Sequence, residues 1–241
     1  APCTHTLLFF PSFFACMNRH EVLVIGAGPA GQRAALEALR AGAEVALVSK
    51  GIPARSHLVA PESQLNAALN STKKWRDHAR ETVCASDFLA DRDAVEILCK
   101  DAQRAVINGK GRGTMHALYD ALMEFRPAVY AEHVALSLIM EKNACKGVIV
   151  YDLASGSVES VYAKTVLLAT RGMGRVFSAS SNNYESTGDG LALALNAGIP
   201  LQDMEFVQFH SAAIYGKSEM SGRAREQVPV APAVQYCMGG I

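Results

Sequence analysis

The run Glu21-Val22-Leu23-Val24-Ile25 leads without a break into Gly26-Ala27-Gly28-Pro29-Ala30-Gly31, and this junction constrains the chain more than any other segment. A continuous aliphatic and β-branched run is the pattern of a strand covered on both faces in a parallel sheet. Beyond the glycines, Ala34, Ala35, Leu36, Ala38 and Leu39 lay a small apolar stripe along a helix that stops at Ala41-Gly42, where glycine suits a left-handed cap. Residues 44–49 then supply a second strand. In such a unit Gly26 is expected to allow the tight turn, Gly28 to let a diphosphate approach the backbone, and Gly31 to let the helix pack closely on the strand. Ala27 belongs to the same loop and counts among the expected contacts. The helix N-terminus offers unpaired N–H groups and its partial positive charge to phosphates. Dinucleotide binding is the functional reading; a glycine turn that serves the fold alone is the bland one.

The position about twenty residues on, where an acid holds the ribose hydroxyls in many such sites, is Ser49 followed by Lys50. A hydroxyl still hydrogen-bonds ribose. The missing acid disfavours NAD and leaves FAD open.

With 241 residues, half of them apolar and 19% charged, the chain is long enough for one sizeable core and a small second lobe. Lys and Arg balance Asp and Glu at 23 each, with no basic run, which excludes nucleic acid as an expected partner. The six cysteines form no C-x-x-C pair and no zinc or iron–sulfur spacing, so no metal site is expected. They read as reduced thiols in a cytosol-like compartment. Residues 7–16 form an aromatic-rich apolar run without the basic flank of a signal peptide, and too short to span a bilayer. Met17 reads as a natural start, which makes 1–16 a leader or non-native extension.

The segment Ser49-Lys50-Gly51-Ile52-Pro53-Ala54-Arg55-Ser56-His57 resembles the flavoprotein subunits of succinate dehydrogenase and fumarate reductase, with their Lys-x-x-Pro-x-Arg-Ser-His loop. The likeness continues through Asn66-Ala67-Ala68-Leu69, a helical stretch at 77–106, and Thr114-Met115-His116-Ala117-Leu118. Its most specific piece is Asp203-Met204-Glu205-Phe206-Val207-Gln208-Phe209-His210. The resemblance implies FAD as cofactor, with covalent attachment through His57, next to Ser56; the alternative for His57 is a solvated loop histidine. It also implies an α/β fold of glutathione-reductase type: a Rossmann-type parallel sheet carrying an antiparallel β-meander, over an FAD-binding domain of residues 17–227 with 228–241 as its return strand.

Residues 129–140 and 147–169 read as strands, with a turn at Asp152-Leu153-Ala154-Ser155-Gly156, before the chain returns to the main sheet at Thr165-Val166-Leu167-Leu168-Ala169. By the same resemblance Ala135 lines the adenine and Thr170 lies in a cofactor turn. Thr187-Gly188-Asp189-Gly190 opens a helix through Leu195. Asp189 is there either a helix cap or, as the family's Thr-Gly-Asp-Gly motif implies, a flavin contact.

Hydride exchange between a C4 dicarboxylate and flavin needs clamped carboxylates and a proton-transfer group. The resemblance makes His210 and Glu219 the remnants of that site, and implies an iron–sulfur subunit, membrane-anchor subunits and a peripheral position on the inner face of an energy-transducing membrane. Several motifs depart from the family. Arg225-Glu226-Gln227 runs directly into Val228-Pro229-Val230-Ala231-Pro232, so the capping domain is expected to be missing. Pro61-Glu62-Ser63-Gln64 replaces Ala-Gln-Gly-Gly, Arg171 stands in the Ala-Thr-Gly-Gly turn, Ser211-Ala212-Ala213 follows His210, and Gln235 replaces a substrate histidine. Gly109-Lys110-Gly111-Arg112-Gly113 reads as a shortened linker. A catalytically inactive relic and an L-aspartate oxidase-like flavoprotein are therefore the alternatives.

Overall fold

The aliphatic run near the start of the chain lies in the middle of a sheet that has six strands among the described residues. The computed structural model describes residues 18–53, 67–69, 74–108, 112–178, 180, 182, 184–205 and 207. The leader, the return strand at 228–241 and the junction at 225–232 lie outside them. Strand β1 (Asn18–Ile25) is followed by helix α1 (Pro29–Arg40) and strand β2 (Val45–Ser49). Three helices come next: α2 (Trp75–Ala85), α3 (Arg92–Asn108) and α4 (Arg112–Glu124). Strands β3 (Ala128–Ala131), β4 (His133–Glu141), β5 (Ala144–Asp152) and β6 (Val158–Leu168) precede α5 (Asp189–Asn196).

The strand order is β3-β2-β1-β6-β5-β4. β1 pairs parallel with β2 on one side (Val24 opposite Leu47) and with β6 on the other (Val24 opposite Leu167). β4, β5 and β6 pair antiparallel. The β1-α1-β2 expectation therefore holds, and α1 ends where expected: its cap is Ala41, and Gly42 takes φ +86°.

Both faces of β1 are covered, which is why its sequence does not alternate. On one face Val24, Val45 and Leu47 pack with Ala35 and Leu36 of α1 and Leu122 of α4. On the other, Leu23, Ile25, Ala46 and Val48 pack with Val148, Val150, Val161 and Ala163 of the antiparallel strands. This second cluster closes because the sheet curls: β4 touches β2 although three strands separate them in the sheet. Each fully buried Val, Leu or Ile side chain here contributes about 1.5–3 kcal/mol relative to exposure.

Four expectations need correction. Residues 129–140 are two strands, not one: Glu132 adopts φ +59°, which ends the parallel pairing of β3 with β2 and starts the antiparallel pairing of β4 with β5. The last meander strand and the return to the main sheet are a single element, β6, which pairs with β5 along its first half and with β1 through to Leu168. The helical stretch at 77–106 is interrupted at Asp87 and Phe88, both in the left-handed region (φ +50° and +63°). Finally, Arg112 and Gly113 are the first residues of α4 rather than linker.

Candidate cofactor site

The carboxyl ends of β1, β2 and β6 lie side by side, the end of the sheet where parallel α/β folds bind ligands. Gly26 N donates to Val48 O at 2.8 Å and Ala169 N donates to Ile25 O at 2.8 Å, so the three strand ends are tied together. At Gly26, with φ +110°, a Cβ would lie 2.3 Å from Ala169 O; at Gly31 it would lie 1.8 Å from Gly26 O. Both glycines are thus required by close backbone approach. Gly28 differs, since a Cβ there would meet nothing within 4 Å.

Gly28 is the N-cap of α1, with Pro29 next, no side-chain cap and no acid in the first turn. Neither an N-cap side chain nor a first-turn acid therefore competes for the first-turn N–H groups, and Pro29 and Ala30 are exposed. A helix start of this kind, with open space over the N-cap backbone, fits a diphosphate. Ala27 is different: its methyl is buried in the core cluster that includes Val24 and Leu36, and its carbonyl accepts from Gln32 Nε2 at 3.0 Å, so both are engaged within the fold.

From β2, Ser49 is buried at the strand end and Lys50, the next residue, reaches to the start of α5. Lys50 Nζ donates to Asp189 Oδ2 and to Thr187 Oγ1, each at 3.0 Å, and the Thr187 hydroxyl donates to Asp189 Oδ1 at 2.7 Å. Both charged side chains are more than a third exposed, so the pair stabilises the fold by no more than about 1 kcal/mol. Asp189 is not the helix cap: Gly188 is, with φ +76° and no side-chain cap bond, and Asp189 is the first residue of α5.

Thr170 packs against α5, where a Cβ on Gly190 would come within 1.9 Å of its Oγ1. Arg171 lies beside Glu185, Nε to Oε2 3.7 Å. Ala135 sits in β4, packed against the second core cluster, with a register shift between it and Ser137 that leaves Leu136 unpaired and exposed. Ser56, His57, His210 and Glu219 lie outside the described residues, as do residues 61–64, 211–213 and Gln235.

Two contributors were missed from sequence. Thr187 belongs to the quoted motif, yet its bridging of Lys50 and Asp189 needs the fold. Gln32 left a clearer signal: it shares helical spacing with Ala35 and Leu36, which places a polar amide on the buried stripe of α1. Among the described residues no group of three or more His, Cys, Asp or Glu is placed to hold a metal ion, and no helix is long and apolar enough to cross a membrane.

The FAD binding domain family matches residues 21–108 and 103–234. The succinate dehydrogenase flavoprotein subunit of Rickettsia bellii is 35% identical over 242 residues, covering 82% of this chain and 41% of that protein. The fumarate reductase flavoprotein subunit of Mycobacterium tuberculosis is 33% identical over 233 residues, covering 81% and 40%. A solved mutant of E. coli quinol fumarate reductase superposes with a TM-score of 0.77 at 27% identity, covering 84% of this chain and 41% of that one. The chain thus spans about two-fifths of the length of these relatives. With the strand–glycine–helix junction and the mixed parallel and antiparallel sheet in place, the chain belongs to the FAD binding domain family.

Proposed function

We propose that this chain is the FAD-binding part of an oxidoreductase that moves a hydride between a C4 dicarboxylate of the succinate/fumarate type and its flavin. The observation that carries the reading is the asymmetry of the glycine loop. Gly26 and Gly31 are packed against backbone while Gly28 is open at an uncapped helix start. A turn that served the fold alone would have no use for that opening.

In this reading the backbone of Gly28, Ala30 and Gly31 holds the diphosphate, and Ser49 and Lys50 meet the adenosine half. Lys50 and Thr187 orient the Asp189 carboxylate toward the cofactor, while Ala135 and Thr170 border it. His57, beside Ser56, attaches the flavin covalently. His210 and Glu219 bind the dicarboxylate. The flavin, when bound, supplies a two-electron acceptor. The relatives are named as flavoprotein subunits, which supports an iron–sulfur subunit as electron partner and anchor subunits that keep the assembly peripheral on the inner face of an energy-transducing membrane.

The test is spectroscopic. The purified chain should carry flavin absorbance that survives acid precipitation and is lost from the precipitate in His57→Ser, and succinate should bleach it. A folded, colourless protein that does not take up added FAD would end the proposal. Bleaching by L-aspartate but not succinate would move the substrate assignment.

A further inference from the structure

Gln32 is the most deeply buried polar side chain of the first unit, 1% exposed, and it makes two bonds to the glycine loop. Its backbone N donates to Gly28 O at 2.9 Å, as the first bond of the helix, and its side-chain Nε2 donates to Ala27 O at 3.0 Å. Its Oε1 is buried without a hydrogen-bond partner among the described residues. A buried acceptor without a donor weakens a fold, so the amide is poorly explained by stability alone.

The bond to Ala27 has a geometric consequence. The peptide joining Ala27 to Gly28 is trans, as no cis bonds occur among the described residues. In a trans peptide the C=O and the following N–H point in opposite directions. Holding the Ala27 carbonyl inward, toward the buried amide, therefore turns the Gly28 N–H away from that amide. The same bond removes a carbonyl oxygen from the region where an anion would sit.

We propose that Gln32 is a positioning residue: its amide fixes the Ala27–Gly28 peptide so that the Gly28 N–H addresses the diphosphate of the bound nucleotide. This rests on the FAD-binding reading of the loop. ADP and adenosine, which differ by the diphosphate, are titrated calorimetrically into the full chain carrying His57→Ser and freed of flavin, with and without Gln32→Leu, and the melting midpoint is recorded without ligand. Gln32→Leu should raise the Kd for ADP about tenfold, the worth of one charge-assisted hydrogen bond, and leave that for adenosine within about twofold. The unliganded midpoint should stay nearly level, because the unpartnered Oε1 is gone while the Ala27 carbonyl loses its donor. Unchanged ADP affinity, or an equal loss for both ligands, overturns the assignment. If Gln32→Leu does not fold, Gln32→Met, unbranched and of matching length, is judged by the same outcomes. A wild-type chain that binds neither ADP nor FAD overturns the nucleotide reading itself, and this proposal with it.

Discussion

Lys50 and Asp189, 139 positions apart, meet with Nζ 3.0 Å from Oδ2 beyond the carboxyl end of β2. Thr187 completes the contact by accepting from the lysine and donating to the other carboxylate oxygen. Because the pair is exposed, its value to the fold is small. A double-mutant cycle on Lys50→Ala and Asp189→Ala should give a coupling energy below about 1 kcal/mol in urea unfolding. Asp189→Ala should weaken FAD binding about tenfold in a fluorescence titration. Strong coupling in stability with unaltered flavin affinity would make the pair a purely structural clamp.

The three glycines of the loop should separate cleanly on alanine substitution. Gly26→Ala and Gly31→Ala drive a methyl into backbone oxygens at 2.3 and 1.8 Å. Each should destabilise by about 1–3 kcal/mol or more. Gly28→Ala meets no neighbour, and its φ of −72° suits any residue. It should cost under about 1 kcal/mol in thermal or urea unfolding, yet lower flavin affinity about tenfold by crowding the diphosphate. Equal destabilisation by all three would remove the reason for assigning Gly28 to a ligand.

Thr170 and Gly190 form a size pair. Alanine in a helix ordinarily gains about 1 kcal/mol over glycine, but at Gly190 the methyl would meet Thr170 Oγ1 at 1.9 Å. Gly190→Ala alone should lower the melting midpoint, and adding Thr170→Ala should restore most of the loss. A Gly190→Ala protein as stable as wild type would show that α5 does not seat on Thr170.

The turn between β5 and β6 depends on an ionised Asp152. Its carboxylate accepts from Ser155 Oγ at 2.6 Å and Ala154 N at 2.8 Å. The Ser155 hydroxyl first, and the Ala154 N–H second, hold its pKa below the ordinary Asp range. A depressed folded pKa contributes stability that is present above the unfolded value, about 3.9, and is lost as pH falls through the folded one. The midpoint difference between wild type and Asp152→Ala should therefore be fullest near neutrality and shrink below about pH 4. A difference that stays constant down to pH 2 would show that the charge is irrelevant.

Local sequence determined what short-range physics controls. The β1-α1-β2 unit is legible because an unbroken aliphatic run, three small residues and a helical apolar stripe each have one economical conformation. The start of α5 after Gly188 and the turn before Gly156, whose φ is +74°, are legible for the same reason. What the sequence alone could not decide is which distant segments become neighbours. The break at Glu132 occurs because β3 joins β2 while β4 joins β5, and no local pattern distinguishes those partners. β6 reads as two strands until its pairing with β5 and β1 makes it one. The meeting of Lys50 with Asp189, and the burial of the Gln32 amide under the glycine loop, likewise exist only once the strand ends converge, because side-chain contacts across tens of residues are set by packing and not by propensity.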